Sequence, residues 1–210
     1  MIDSNFIKLS QLEALNVSRE TFKELEEYSS SILRCNKKIN LISNSTEKSI
    51  NTRHIIDSAQ TIGFIEESDA HMCTDIGSGA GLPGIVLAIL MKRKKPLFKV
   101  ICYEKSFHKS NFLKEISKKL ELNTEIHQKN IFKEKKLKTD IIISRAFKPL
   151  PIILGLAKEN FKNFESIILF LGKRGKKILS EALTKWEFQY KEKKSITNDN
   201  SFIIKITNLK

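Results

Sequence analysis

Residues 73–84 read Cys73-Thr74-Asp75-Ile76-Gly77-Ser78-Gly79-Ala80-Gly81-Leu82-Pro83-Gly84. The four glycines fall within eight positions, just ahead of the apolar run Ile85-Val86-Leu87-Ala88-Ile89-Leu90. Glycine costs about 0.5–1 kcal/mol of backbone entropy relative to alanine inside a regular element, so a cluster marks positive φ or close approach of a ligand. A purely structural turn needs fewer. Strand, glycine loop and helix in that order set backbone N–H groups against a nucleotide-like ligand.

Outward from the loop the chain alternates strands and helices. Strands are predicted over 73–76, 98–103, 124–128, 140–144 and 166–171. Helices are predicted over 83–91, over 107–120 with Phe112, Leu113, Ile116 and Leu120 inward, and over 150–162. Pro83 suits a first helical turn, where its missing donor does no harm. Continuous apolar strands separated by helices indicate a parallel sheet covered on both faces. Residues 188–193 and 202–206 flank the turn-rich Thr197-Asn198-Asp199-Asn200 and read as a closing antiparallel pair. The fold class is therefore α/β, doubly wound.

Residues 1–60 have helical character. Phe22, Leu25, Tyr28, Ser29, Ile32 and Leu33 recur at three- and four-residue spacings. Thr21 and Glu24 are a candidate capping box, with Ser18 ahead of them. A second helix is predicted from Ser45 through Ile50, Arg53, His54, Ile55 and Asp57 to Ser58. A helical extension over 1–60 thus precedes a ligand-binding domain over 61–210.

The length of 210 residues suits one large domain or a principal domain with an appendage. No apolar run approaches the ~20 residues of a membrane span. The start, Met1 to Phe6, lacks a basic segment followed by an apolar one, so a cytoplasmic protein without a signal peptide is expected. Cys35, Cys73 and Cys102 are widely spaced, which implies reduced thiols and no metal site. The net charge of +13 points to a polyanionic partner such as nucleic acid. Only six of the 37 basic residues are Arg, and a compositional bias toward Lys, Asn and Ile would produce part of the same excess.

Gly79-Ala80-Gly81-Leu82-Pro83-Gly84 matches the dinucleotide pattern G-x-G-x-x-G, with Glu104 at the distance needed for a ribose diol. Two details favour a different ligand. The glycines begin directly after Asp75-Ile76, giving D-x-G-x-G-x-G, which resembles the first motif of S-adenosylmethionine-dependent methyltransferases. Pro83 also removes an early helix donor that a pyrophosphate would use. Asp75 either supports a cationic sulfonium or orients the loop. Glu104, closing the second strand, either accepts both ribose hydroxyls or is a plain strand-end charge.

Several further stretches coincide. Asn40-Leu41-Ile42, Arg53-His54-Ile55-Ile56-Asp57-Ser58, the loop from Asp75 to Gly84, and Ile143-Ser144-Arg145-Ala146-Phe147 occur in the order seen in the RsmG (GidB) family, and the chain resembles that family over almost its whole length. The family comprises bacterial methyltransferases of 16S rRNA. The resemblance implies a class I, Rossmann-like methyltransferase fold with a seven-stranded, mostly parallel sheet. It also implies S-adenosylmethionine as donor, N7 of a guanine in 16S rRNA (conventionally guanine 527) as acceptor, the small ribosomal subunit as partner, and a monomer.

Carried over by position, Gly77, Leu82, Ile131, Phe132 and Arg145 would contact the cofactor, with Gly79 and Gly81 completing the loop. Many members have an acidic residue where this chain has Ile131-Phe132. Arg145 is the one candidate for a catalytic role, and it closes an apolar strand facing the strand-end crevice. A salt bridge to a neighbouring acid is its alternative reading. Arg53 and His54 would cover the cofactor or grip RNA. Phe147 would stack on the guanine or belong to the core. Lys173 and Arg174 would hold phosphates. Guanine N7 carries a lone pair and no proton, so orientation, not a base or nucleophile, should carry catalysis. The chain agrees in lacking a Pro-Cys dipeptide and an Asp/Asn-Pro-Pro-aromatic motif. Methylation of another RNA site or a small molecule, NAD-dependent oxidoreduction, and RNA binding without catalysis are the alternatives.

Overall fold

The computed structural model describes residues 17–210. The expected helical character of residues 1–16 lies outside that range. Seven strands form one sheet: β1 (Met72–Ile76), β2 (Lys99–Tyr103), β3 (Thr124–His127), β4 (Ile141–Ser144), β5 (Ser166–Leu171), β6 (Gln189–Lys194) and β7 (Phe202–Thr207). Their spatial order is β3-β2-β1-β4-β5-β7-β6. The first five run parallel, and β7 is antiparallel to both β5 and β6. Order reverses between β1 and β4, and such a switch point is where open α/β sheets bind ligands. Asp75 of β1 lies opposite Cys102 of β2 and Ile143 of β4. The register therefore brings the glycine loop, Glu104 and Arg145 to one edge.

The helices follow from apolar positions that the sheet's two faces can bury. On one face lie α1 (Arg19–Asn36), α2 (Gly84–Lys94) and α3 (Phe107–Lys119), sharing a cluster that includes Leu25, Tyr28, Ile32, Val86, Ile89 and Leu113. On the other lie α4 (Leu150–Asn160) and α5 (Gly175–Leu183), with Leu154, Ala157, Leu179 and Ile204 inside. Burying such side chains stabilises by about 1.5–3 kcal/mol each. α1 adds exposed-edge ties to α2: Glu24 binds Lys92 at 3.0 Å and Arg93 at 2.6 Å. No helix among the described residues is long and apolar enough to cross a membrane.

Some local expectations are corrected. Ser18, not Thr21, caps α1, its hydroxyl accepting from Thr21 N at 3.2 Å. Glu24 is drawn away from any capping box by Lys92 and Arg93. Pro83 stands just before α2 at the N-cap, and the helix runs on to Lys94. The stretch 44–59 is helical but irregular, passing from a 3-10 turn (Asn44–Ser49) through a π turn (Asn51–Ile56) to Asp57–Ala59. The helix predicted over 150–162 ends at Asn160, and Phe161–Lys162 instead pairs with Leu137–Lys138. Helix α5 was not foreseen, because only Leu179 and Ala182 of its side chains are buried.

Candidate functional site

The glycine loop is held by hydrogen bonds from several elements. Tyr103 O at the end of β2 accepts from Gly77 N at 3.0 Å and Ser78 N at 3.1 Å. The Ser78 amide reverses the chain so that its carbonyl accepts from Gly81 N at 2.7 Å. Gly77, Gly79 and Gly81 all have left-handed backbones, with φ of 74°, 57° and 94°. At Gly77 a second constraint acts: a Cβ there would lie 2.1 Å from the Phe147 ring. From α1, Tyr28 donates its hydroxyl to Ala80 O at 2.7 Å inside the core. Sequence reasoning placed Tyr28 in an apolar stripe and missed this tie, since a hydroxyl's target 52 residues away leaves no local signal.

Two acids serve the loop. Asp75 is buried and accepts from Gly84 N at 3.0 Å through Oδ2, while Oδ1 has no partner. Burial pushes its pKa up to about 7, against the lowering effect of the Gly84 N–H and Ser78. Through Gly84 N its carboxyl ties the end of β1 to the start of α2. Glu104 accepts from Gly79 N at 2.9 Å and from Ser106 N at 2.7 Å. Each oxygen of a carboxylate so engaged keeps a lone pair for a further donor.

Arg145 turns toward the 53–58 segment. Its guanidinium donates to Arg53 O at 3.1 Å, to Ser58 Oγ at 3.2 Å and to His54 Nδ1 at 2.6 Å, and lies 3.5 Å from Asp57 Oδ2. Burial, then the positive charges of Arg145 and Arg53, lower the His54 pKa to about 4. The ring is therefore neutral near pH 7, with Nδ1 accepting from Arg145 and Nε2–H donating to Thr46 Oγ1 at 2.9 Å. Asp57 Oδ1 in turn accepts from Thr197 Oγ1 and Gln60 Nε2, both at 2.8 Å. The salt bridge to a neighbouring acid, the alternative reading of Arg145, is thus formed. His54 and Asp57 converge on one arginine, and are not simply a pair along a helix surface.

Three cavities meet at residues 145–148. The first, of about 230 Å3, is lined by Gly77, Tyr103, Glu104, Lys105, Asn130, Ile131 and Phe147, among others. The second, of about 330 Å3, has Arg53, His54, Asp57 and Arg145 on one wall and Ser195, Thr197 and Asn198 on another. The third, of about 480 Å3, includes Phe147, Lys148, Lys173 and Arg174. The expected cofactor residues Gly77, Glu104 and Ile131 therefore share one crevice. Phe132 is half-exposed at its edge, its ring stacked on Phe147 with centroids 5.9 Å apart. Arg145, Arg53 and His54 open into the second cavity instead. Gly81 and Leu82 form the buried side of the loop, where a Cβ at Gly81 would strike Ile85 and Leu113. Thr197 and Asn198 belong to the turn-rich connection seen in the sequence, and Ser195 precedes it.

The chain matches the family model described as rRNA small subunit methyltransferase G over residues 21–203. Ribosomal RNA small subunit methyltransferase G of Pelagibacter ubique (strain HTCC1062) is 48% identical over 201 residues, covering 95% of this chain and 94% of the relative. The same-named protein of Ruegeria pomeroyi is 34% identical over 92% of this chain and 94% of its own length. Among solved structures, the 16S rRNA methylase RmtB superposes with a TM-score of 0.58 at 12% identity, over 91% of this chain and 75% of that one. A SAM-dependent methyltransferase from Aquifex aeolicus gives 0.56 at 17% identity, over 75% and 92%. At these identities the two structures speak for the fold.

Proposed function

The chain belongs to the rRNA small subunit methyltransferase G family, and we propose that it transfers a methyl group from S-adenosylmethionine to N7 of a guanine in 16S rRNA, conventionally guanine 527. The observation that carries the reading is the glycine loop at the sheet's switch point, facing Glu104 across one crevice.

The residues of that crevice fit an adenosyl ligand. Glu104 can accept ribose hydroxyls, and a charged acceptor binds them more strongly than a neutral one. Gly77 and Gly79 let a ligand lie directly on the backbone, Phe147 now holding that contact at Gly77. Ile131 offers an apolar wall for an adenine, in a turn held by Phe132 N–H donating to Asn130 Oδ1 at 3.2 Å. When bound, the donor supplies an electrophilic methyl carbon on a sulfonium.

The protein's part is then alignment. Both His54 nitrogens are committed, Asp75 is enclosed, and Glu104 is engaged by two amides. A free general base is missing from this set, as suits an acceptor nitrogen that has no proton to lose. Correct placement of two reactants can supply about 7–11 kcal/mol of a barrier. Arg145, fixed by contacts to Arg53, His54, Asp57 and Ser58, lines the neighbouring cavity, on the acceptor side. On the same reading residues 61–210 are the catalytic domain and 1–60 a helical extension, whose described part braces the loop through Tyr28. The polyanionic acceptor accords with the net charge of +13.

Nucleoside mass spectrometry of 16S rRNA from cells with and without the gene tests the reading. Loss of one 7-methylguanosine is expected. An unchanged nucleoside profile would refute it.

A further inference from the structure

Between the ends of β4 and β5 lies the third cavity, a trough floored by Phe147, Leu171 and Ile178 and rimmed by Lys148, Lys173 and Arg174. All three cations are exposed. None makes an ion pair or a side-chain hydrogen bond among the described residues, whereas Lys92, Arg93, Lys94, Lys99 and Lys119 all do. No carboxylate lines the trough. The backbone amides of residues 146–148 also make no hydrogen bond among the described residues. An apolar floor beside three uncompensated cations suits a ligand with one flat apolar face and a negative edge.

The neighbouring cavity has a different chemistry. Thr46, Ser195, Thr197 and Ser201 bring hydroxyls to it, and Asn198 an amide. Such groups can read the hydrogen-bonding edge of a base. The two cavities share Ala146, Phe170, Leu171 and Gly172. No atom stands within 4 Å of where a Cβ on Gly172 would be, so this residue forms a low sill between them.

We infer that RNA crosses this sill: the purine to be methylated enters the hydroxyl-lined cavity, and the adjacent nucleotide lies in the trough. Its base rests on Phe147, Leu171 and Ile178, and its phosphate sits among Lys148, Lys173 and Arg174. The inference rests on the RNA methyltransferase reading and narrows its substrate to an unpaired segment. Only unstacked bases offer a face to such a floor, and stacking on aromatic side chains is how single strands are commonly held.

Gly172 provides the test, because its φ lies outside the left-handed range and a side chain there meets only open space. Methyl transfer is measured for Gly172→Ala, Gly172→Leu and Gly172→Trp on small subunits from cells lacking the gene. KM for the subunits should rise with side-chain size, at least tenfold by leucine, while the S-adenosylmethionine Kd by calorimetry and the Tm stay at wild-type values. Replacing Lys148, Lys173 and Arg174 together with alanine should flatten the salt dependence of RNA binding by about 0.7 in log–log slope, the value for one phosphate on a single strand. A Gly172→Trp enzyme as active as the wild type would overturn the subsite and leave the RNA methyltransferase reading standing. A wild-type enzyme that labels no 16S rRNA would overturn both.

Discussion

The loop from Gly77 to Gly84 and the segment from Arg145 to Pro149 border the same crevice from opposite sides, yet they are built in opposite ways. In the first, the amides of Gly77, Ser78, Gly79, Gly81, Leu82 and Gly84 all have acceptors, and the Ala80 carbonyl has Tyr28. In the second, residues 146–148 have no backbone hydrogen bond among the described residues, and Ala146 stands exposed with a left-handed φ of 52°. Only the Arg145 side chain is firmly tied. On the proposed reading the first is the donor side, preorganised as fits a small ligand of constant shape. The second is the acceptor side, left to adapt to a polymer that must enter and leave.

Breaking the donor side should cost both stability and cofactor affinity, whereas the acceptor side should lose activity alone. The largest effect is expected for Gly77→Ala. Its Cβ would overlap the Phe147 ring and its φ is left-handed, costing about 1–2 kcal/mol for the backbone and a further 1–3 kcal/mol for overpacking. Calorimetry should detect no S-adenosylmethionine binding, and the melting temperature should fall. Arg145→Ala comes next: transfer should drop roughly a hundredfold through misplaced reactants. Its Tm should fall far less than that of Gly77→Ala, and equal losses of stability and activity would refute a site role.

Tyr28→Phe sharpens the contrast from a distance. Losing one buried hydrogen bond costs about 1 kcal/mol, so donor Kd should rise roughly fivefold with KM for RNA unchanged. A larger effect on the RNA step would mean that α1 does not act through the loop. The smallest expected effect is a matter of pH. The folded pKa of Asp75, raised to about 7, exceeds its unfolded value, so folding takes up a proton. Its stabilisation is full below the unfolded pKa and is lost as pH rises through about 7. Asp75→Asn removes that loss, and its Tm relative to wild type should climb between about pH 4 and 7 and then level off. A pH-independent difference would show the carboxyl to be ionised throughout.

How much of this was legible in the chain depended on the distance over which the signal acts. Strand and helix periods, and the glycines after Ile76, are local, and they yielded the sheet and the loop within a few residues. The position of Glu104 followed, because a parallel neighbour ends where the loop begins. The capping of α1 was misassigned because Glu24 answers to Lys92 and Arg93, nearly seventy residues on. The fixing of Arg145 was further out of reach. Arg53, His54, Asp57 and Ser58 could be singled out, but not the fact that they surround one guanidinium, nor that Thr197 completes the set. Hydroxyls in a polar turn look alike until a sheet places them. Phe147 remained ambiguous for the same reason, since only the folded chain lays its ring on Gly77.

Thr197 donates to Asp57, and Ile196 N and Ser195 engage Gln60, from a connection that lies close to the end of the 210-residue chain. Asp57 also has Gln60 Nε2 at 2.8 Å and Arg145 at 3.5 Å, so the far hairpin adds a further hold on the acid that Arg145 meets. A change in that distant turn can be felt at the guanidinium through the Thr197 hydroxyl.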